Sequence, residues 1–173
     1  MRTTSVDMTV RPIRVNRLTA EAFAPFGQVI ASIKDGVLFG PNDAQLELSR
    51  GTPRFYIMRL PHKGMRVRQI TRHRQVTQCL AAVGGKPWFI AVAPPLGLDD
   101  PEAQPALDDI KAFKIPGNVA IKLHRGSWHA GPFFDDAEIS FFNLELADTN
   151  EVDHHNCHLD RRYGTVLEFR DEP

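Results

Sequence analysis

Two short stretches of the chain concentrate side chains that could move protons or hold a cation. The first reads Thr71-Arg72-His73-Arg74-Gln75-Val76-Thr77-Gln78, with Gly85 following; the second reads His124-Arg125-Gly126-Ser127-Trp128-His129. Imidazole titrates near neutrality and serves as acid, base or metal ligand, so His73, His129 and His124 are the candidate catalytic groups. On a strand, residues two apart face the same way, and His73 and a residue of a facing strand can converge in one barrel mouth. His73, Gln78 and His129 are also the candidate metal donors, although an amide is a poor ligand, which leaves open a pocket weakly metallated or free of metal. The later cluster Asp153-His154-His155-Asn156-Cys157-His158 is rich enough in His and Cys to bind zinc but matches no structural zinc spacing, and otherwise reads as a solvated loop or interface segment.

The elements that must carry these groups are predominantly β. Residues 54–60, 65–70, 88–92, 119–123 and 138–144 are short, β-branched or aromatic, and bounded by Pro, Gly and Asp, which predicts strands. Turn signals at Gly84-Gly85, Pro94-Pro95, Pro116-Gly117-Asn118 and Gly131-Pro132 separate them. One short helix is predicted over 18–24, with Thr19 as its N-cap and Pro25 and Gly27 as terminators. The Pro- and acid-rich stretch 96–107 reads as a surface loop. Many short strands with almost no helical crossovers indicate an all-β antiparallel sandwich or barrel, one domain over residues 1–173. Cys79 reads as a buried small hydrophobe whose thiol burial keeps protonated; Phe133-Phe134 and Phe141-Phe142 read as core and subunit contacts.

The chain has 173 residues, 42% hydrophobic and 24% charged, with 21 basic and 21 acidic side chains. No apolar run is long enough to span a membrane, which excludes a helical membrane protein. The opening residues lack the apolar core of a signal peptide, and two cysteines without a CxxC pair point to a reducing cytoplasm. Zero net charge conceals an asymmetry: residues 48–98 hold nine Lys or Arg and no acid, while 126–160 hold eight acids and no Lys or Arg. The two segments either neutralise each other across neighbouring strands or a subunit contact, or the basic one receives a small anion. Nucleic acid is disfavoured because no zinc-finger spacing or aromatic RNA-binding motif accompanies the basic stretch.

The spacing around His73 and His129 resembles a degenerate form of the two motifs of the cupin superfamily. Thr71 stands at the first His position, His73 at the second, Gln78 at the Glu, His129 at the last His, and His124 where a Pro is usual. The resemblance implies a double-stranded β-helix, a jelly-roll barrel. It narrows to the ureidoglycolate lyase family through residues 18–27, Met58-Arg59, Arg72-His73, Thr77-Gln78, Ile110-Lys111-Ala112-Phe113 and His124-Arg125-Gly126-Ser127-Trp128-His129. The tail from Leu146 to His155 departs from the family's usual ending, leaving room for another substrate.

That resemblance implies cleavage of (S)-ureidoglycolate to glyoxylate and urea in allantoin and purine breakdown. The substrate is a carbinolamide, so its collapse needs a base at the hydroxyl, an acid at the departing nitrogen and a cation for the carboxylate. His73 and His129 are expected to be base and acid, and Gln78 to hold the substrate amide or a water. Arg59, Arg72 and Arg125 are the candidate carboxylate clamps, with Trp128 as a further substrate contact. Arg72 adjoins His73 and on a regular strand faces away from it, which favours Arg59. The resemblance suggests nickel if a metal is bound, and, with the open sheet edges of such barrels, a homodimer. Two other readings stay open: a non-catalytic cupin binding a small anion, and a metal-dependent cupin acting on another 2-hydroxy or keto acid.

Overall fold

The computed structural model describes residues 7–173; the opening residues 1–6, part of the stretch read above for a leader, lie outside it. The first strands are β1 (Thr9–Arg17), β2 (Gly27–Ile30), β3 (Pro53–Pro61), β4 (Arg66–Val67), β5 (Gln69–Arg72), β6 (Gln78–Ala82) and β7 (Trp88–Ala93). They are followed by β8 (Lys111–Ile115), β9 (Ala120–Leu123), β10 (Trp128–Phe133), β11 (Glu138–Leu146), β12 (His155–His158) and β13 (Thr165–Arg170). Three short helices, α1 (Ala20–Phe23), α2 (Thr149–Val152) and α3 (Leu159–Tyr163), and one 3-10 turn complete the described residues. The strands form an eight-stranded sheet, β12-β5-β10-β7-β8-β1-β13-β4, and a five-stranded sheet, β2-β9-β6-β11-β3. This is the expected all-β, cupin-like jelly roll. No helix is long and apolar enough to cross a membrane among the described residues.

Strand β7 shows how the sequence fixes the layers. All six of its residues are buried, yet they serve two different cores. Trp88, Ile90 and Val92 point between the sheets, where they join Phe113, Ile121, Leu123 and Phe141. Phe89, Ala91 and Ala93 point to the opposite face, with Trp128, Phe133 and Phe169. The period-two alternation therefore supplies both sides of one central strand. Trp88 meets Phe141 edge-on at 5.2 Å, locking the two sheets together.

Helix α1 forms where the sequence places it. The Thr19 hydroxyl accepts from the Ala22 amide at 3.0 Å, capping a single turn that drops Phe23 into the core. Three details differ from the reading of the sequence. The stretch 65–70 is split between β4 and β5, which belong to opposite ends of the large sheet. β1 runs parallel to both β13 and β8, so the sheet is mixed rather than wholly antiparallel. Strands β1, β2, β6, β8, β10, β12 and β13 are not predicted from the sequence; pairing with neighbouring strands stabilises them.

The basic and acidic segments meet as cross-strand neighbours. Along the β3–β11 ladder, Arg54 pairs in register with Glu145, and Arg59 lies 4.0 Å from Glu138. Lys86 reaches Asp136 at 3.4 Å. Two of the nine basic residues, Arg59 and Lys86, thus form ion pairs with the acidic segment at the surface, where each pair contributes little to stability.

Candidate active site

Between the two sheets lies a cleft of about 660 Å³. Strands β5 and β10 provide one wall, and β3, β6 and β11 the other. His129 pairs directly with Thr71 across β10 and β5, and His73 follows two residues after Thr71 on the same side. The His73 and His129 ring centroids are 5.0 Å apart, and His154 stands 5.5 Å from His73.

Both central rings are oriented by backbone carbonyls. His73 Nδ1 lies 2.7 Å from the Asp153 carbonyl, and His129 Nδ1 lies 3.2 Å from the Ser127 carbonyl. A carbonyl only accepts, so each Nδ1 carries the proton and each Nε2 presents a lone pair. Asp153 has a second function: its carboxylate accepts from the Arg74 and Gln75 amides at 2.8 and 2.7 Å, fixing the turn that ends β5. Burial, and then the neighbouring His73 ring, push His129 down to about 3; burial also lowers His73. At neutral pH the pair is uncharged.

The opposite wall is a polar network of β3, β6 and β11. Gln78 Nε2 donates to Asn143 Oδ1 at 3.1 Å and to Glu145 Oε2 at 3.3 Å. Tyr56 donates its hydroxyl to Glu145 Oε1 at 3.1 Å and accepts from Asn143 Nδ2, also at 3.1 Å. Glu145 is buried without a salt-bridge partner among the described residues, and burial raises its carboxyl above the ordinary range. At the mouth, Lys63 is exposed, with its ammonium 4.7 Å from the centre of the Phe133 ring, and partial desolvation lowers it.

Of the predicted catalytic, substrate-binding and metal-donor residues, His73, Gln78 and His129 line this cleft; Arg59, Arg72, His124, Arg125 and Trp128 do not. Arg59 is three-quarters exposed on the outer face of β3, because Met58 and Tyr56 take that strand's inward positions. Arg72 faces away, as strand alternation requires, and donates to the Gly97 and Asp100 carbonyls at 3.0 and 2.6 Å. Trp128 is buried on that same far side, with the Arg72 guanidinium 4.9 Å from its ring centre. Arg125 donates to the Arg74 carbonyl and pairs with Glu47. His124 lies behind the cleft, its Nε2 on the Ala24 carbonyl and its Nδ1 3.1 Å from Lys122 Nζ.

Sequence reading missed Tyr56, Lys63, Asn143, Glu145 and His154. Asn143 and Glu145 had a legible signal: they continue the inward parity of Ile139 and Phe141, so two polar groups occupy core-facing positions of β11. The cluster from Asp153 to His158 is not a free loop. It supplies the anchor of His73, the wall residue His154 and strand β12, in which Cys157 is buried. Cys79 is partly buried, and desolvation raises its thiol to about 11, in keeping with an inert side chain.

The sequence profile described as ureidoglycolate lyase matches residues 37–165. The chain belongs to the ureidoglycolate lyase family, within the cupin superfamily. A ureidoglycolate lyase of Pseudomonas paraeruginosa is 33% identical over 133 residues, covering 69% of this chain and 75% of the relative. One of Stutzerimonas stutzeri is 27% identical, over 69% of this chain and 74% of the relative. Among solved structures, oxalate decarboxylase from Bacillus subtilis overlaps 76% of this chain and 37% of its own length, at 13% identity and a TM-score of 0.38; nothing is drawn from that overlap.

The donors fall short of a complete metal site of the usual kind. Among the described residues, no three His, Cys, Asp or Glu side chains are grouped to hold an ion. The expected third donor, Gln78, is an amide, and its nitrogen is committed to Asn143 and Glu145. Two imidazoles and one amide oxygen make a weak donor set, and no step below is routed through a metal.

Proposed function

We propose that this member of the family is itself a ureidoglycolate lyase, cleaving (S)-ureidoglycolate to glyoxylate and urea. The observation that carries the reading is the pair of neutral imidazoles, each with Nδ1 tied to a carbonyl and Nε2 free, in a cleft with a cation at its mouth. The reaction removes the carbinol hydroxyl proton, breaks the carbon–nitrogen bond to leave an aldehyde, and returns one proton to the departing nitrogen. No water is consumed and no electron changes hands.

Because the pair begins neutral, the proton it delivers is the one it has taken. His73 is the better base: Asp153 lies against it, and the His129 ring is the more strongly depressed. His129, 5.0 Å away, is placed to relay that proton toward the leaving nitrogen. This replaces a fixed division into one acid and one base. Lys63 takes the carboxylate role expected of Arg59. It has no carboxylate within 4.0 Å among the described residues, and a bound anion would restore the full charge that partial burial disfavours.

The test is release of glyoxylate from racemic ureidoglycolate by purified protein, followed with and without added divalent metal. The expected outcome is glyoxylate and urea in equal amounts, from half of the racemate. No release above the spontaneous rate under either condition would overturn the reading.

A further inference from the structure

We propose that the Gln78–Asn143–Glu145 wall is the end of the cleft that recognises the ureido group, and that it selects substrates whose leaving group offers several N–H donors. The inference rests on the lyase reading for the identity of the reacting centre, and on the hydrogen-bond inventory of this wall for everything else.

Nearly every donor in the wall points at another member of it. Gln78 Nε2 gives to Asn143 and Glu145, Asn143 Nδ2 gives to Tyr56, and the Tyr56 hydroxyl gives to Glu145. The acceptors are not used up. Gln78 Oε1 is buried and has no partner. Asn143 Oδ1 accepts one bond from Gln78 and has a second lone pair. A carboxylate accepts about four hydrogen bonds, and Glu145 receives those from Tyr56, Gln78 and Asn150. The charge on Glu145 also fixes the Gln78 amide, since the reverse orientation would set Oε1 against the carboxylate.

The wall therefore offers a ligand more acceptors than donors, the second N–H of Asn143 being the one donor its internal bonds leave over. A buried acceptor without a partner is costly, and a ligand that supplies N–H groups removes that cost. A ureido group brings an NH and an NH₂, hence three donors in one plane. With the substrate carboxylate at Lys63, this arrangement leaves the carbinol carbon near the histidine pair. A 2-hydroxy acid without a nitrogen substituent would leave the wall's acceptors unpaired and be rejected for that reason.

Oxalurate tests this without turnover, because it carries the ureido and carboxylate groups but no carbinol. Its binding to wild-type protein is measured calorimetrically beside that of glycolate, which has the carboxylate and hydroxyl but no ureido group. Oxalurate should bind the wild type more tightly than glycolate. Glu145→Gln should weaken oxalurate by about tenfold to a hundredfold, the range for a lost hydrogen bond to a charged group, and leave glycolate within about twofold. Gln78→Met, which removes the orphaned acceptor at nearly constant volume, should act in the same direction and serves if Glu145→Gln does not fold. Lys63→Met should weaken both ligands. Equal binding of oxalurate and glycolate by the wild type overturns the inference. So does a folded Glu145→Gln or Gln78→Met protein that keeps its oxalurate affinity. If oxalurate behaves as expected while ureidoglycolate is not cleaved, the lyase reading fails and the ureido-recognising wall stands.

Discussion

Strands β5 and β10 present two faces built from adjacent residues and put to opposite use. On the cleft side, His73 and His129 stand 5.0 Å apart with a nitrogen lone pair each unspent. On the far side, their chain neighbours Arg72 and Trp128 also meet, guanidinium over indole at 4.9 Å. Arg72 is 0% exposed, and both its terminal nitrogens are committed to carbonyls of the 97–100 turn. One face commits its polar capacity to packing, all but the Arg72 Nε, and the other holds it in reserve toward the cleft. Strand alternation alone separates them: a one-residue slip would exchange chemistry for core. In this molecule a functional side chain is recognised less by its type than by the valence it leaves unused.

The sharpest way to break that contrast is to truncate one member of each pair. His73→Ala or His129→Ala should lower kcat for ureidoglycolate by roughly 10² to 10⁴, the usual range for loss of acid–base catalysis. Trp128→Phe should leave kcat within about threefold and instead reduce thermal stability, since the cost is lost packing beneath Arg72. Steady-state kinetics on variants with native circular dichroism decides the matter. Near-full kcat in a folded histidine variant would remove that residue from the proton path.

How much of this was legible beforehand follows the same division. The fold was readable because β3, β7, β9 and β11 are short runs of β-branched or aromatic residues between turn formers, and α1 carries its own cap in Thr19. His73, Gln78 and His129 were readable because they occupy the ligand positions of the cupin motifs that the sequence resembles. Arg59 was misplaced because charge says nothing about direction, one residue separating it from the inward Met58, whereas strand parity had already turned Arg72 away. Glu145 was hidden in an acidic segment that looked like a solvated surface, although its parity with Ile139 and Phe141 pointed inward. Lys63 and His154 lie on connections, where no periodicity fixes orientation.

The neutral histidine pair should also be visible in the acid stability of the fold. An unfolded imidazole titrates near 6.5, whereas His129 in the folded protein holds out to about 3. Between those values the unfolded chain binds a proton that the native protein refuses, so stability falls as the pH is lowered through this window. His73, also lowered, acts in the same sense. Glu145 acts oppositely, because its raised carboxyl takes up a proton in the native state before it would in the unfolded chain. Urea denaturation at pH 7 and pH 5 should show His129 alone costing the wild type about 2 kcal/mol at the lower pH, from about 1.4 kcal/mol per pH unit below 6.5. His129→Asn should lose that part of the slope. An unchanged slope would mean that the His129 ring is protonated in the native protein near its ordinary value, and the neutral-pair mechanism would then fail.

The smallest expected effect lies on the far face. Arg72→Met removes two charge-assisted bonds to the Gly97 and Asp100 carbonyls, which destabilises the protein. It also removes a guanidinium that burial disfavours and whose Nε has no partner, which offsets part of that loss. The methionine chain can keep its contact with Trp128. The net should be a loss of about 1 kcal/mol in chemical denaturation, with kcat and KM for ureidoglycolate within about twofold of wild type. Arg72→Lys should not restore the loss, because an ammonium cannot span both carbonyls as the planar fork does. A tenfold fall in kcat/KM with stability unchanged would instead mean that Arg72 reaches the substrate, and the two faces of these strands would no longer divide chemistry from packing.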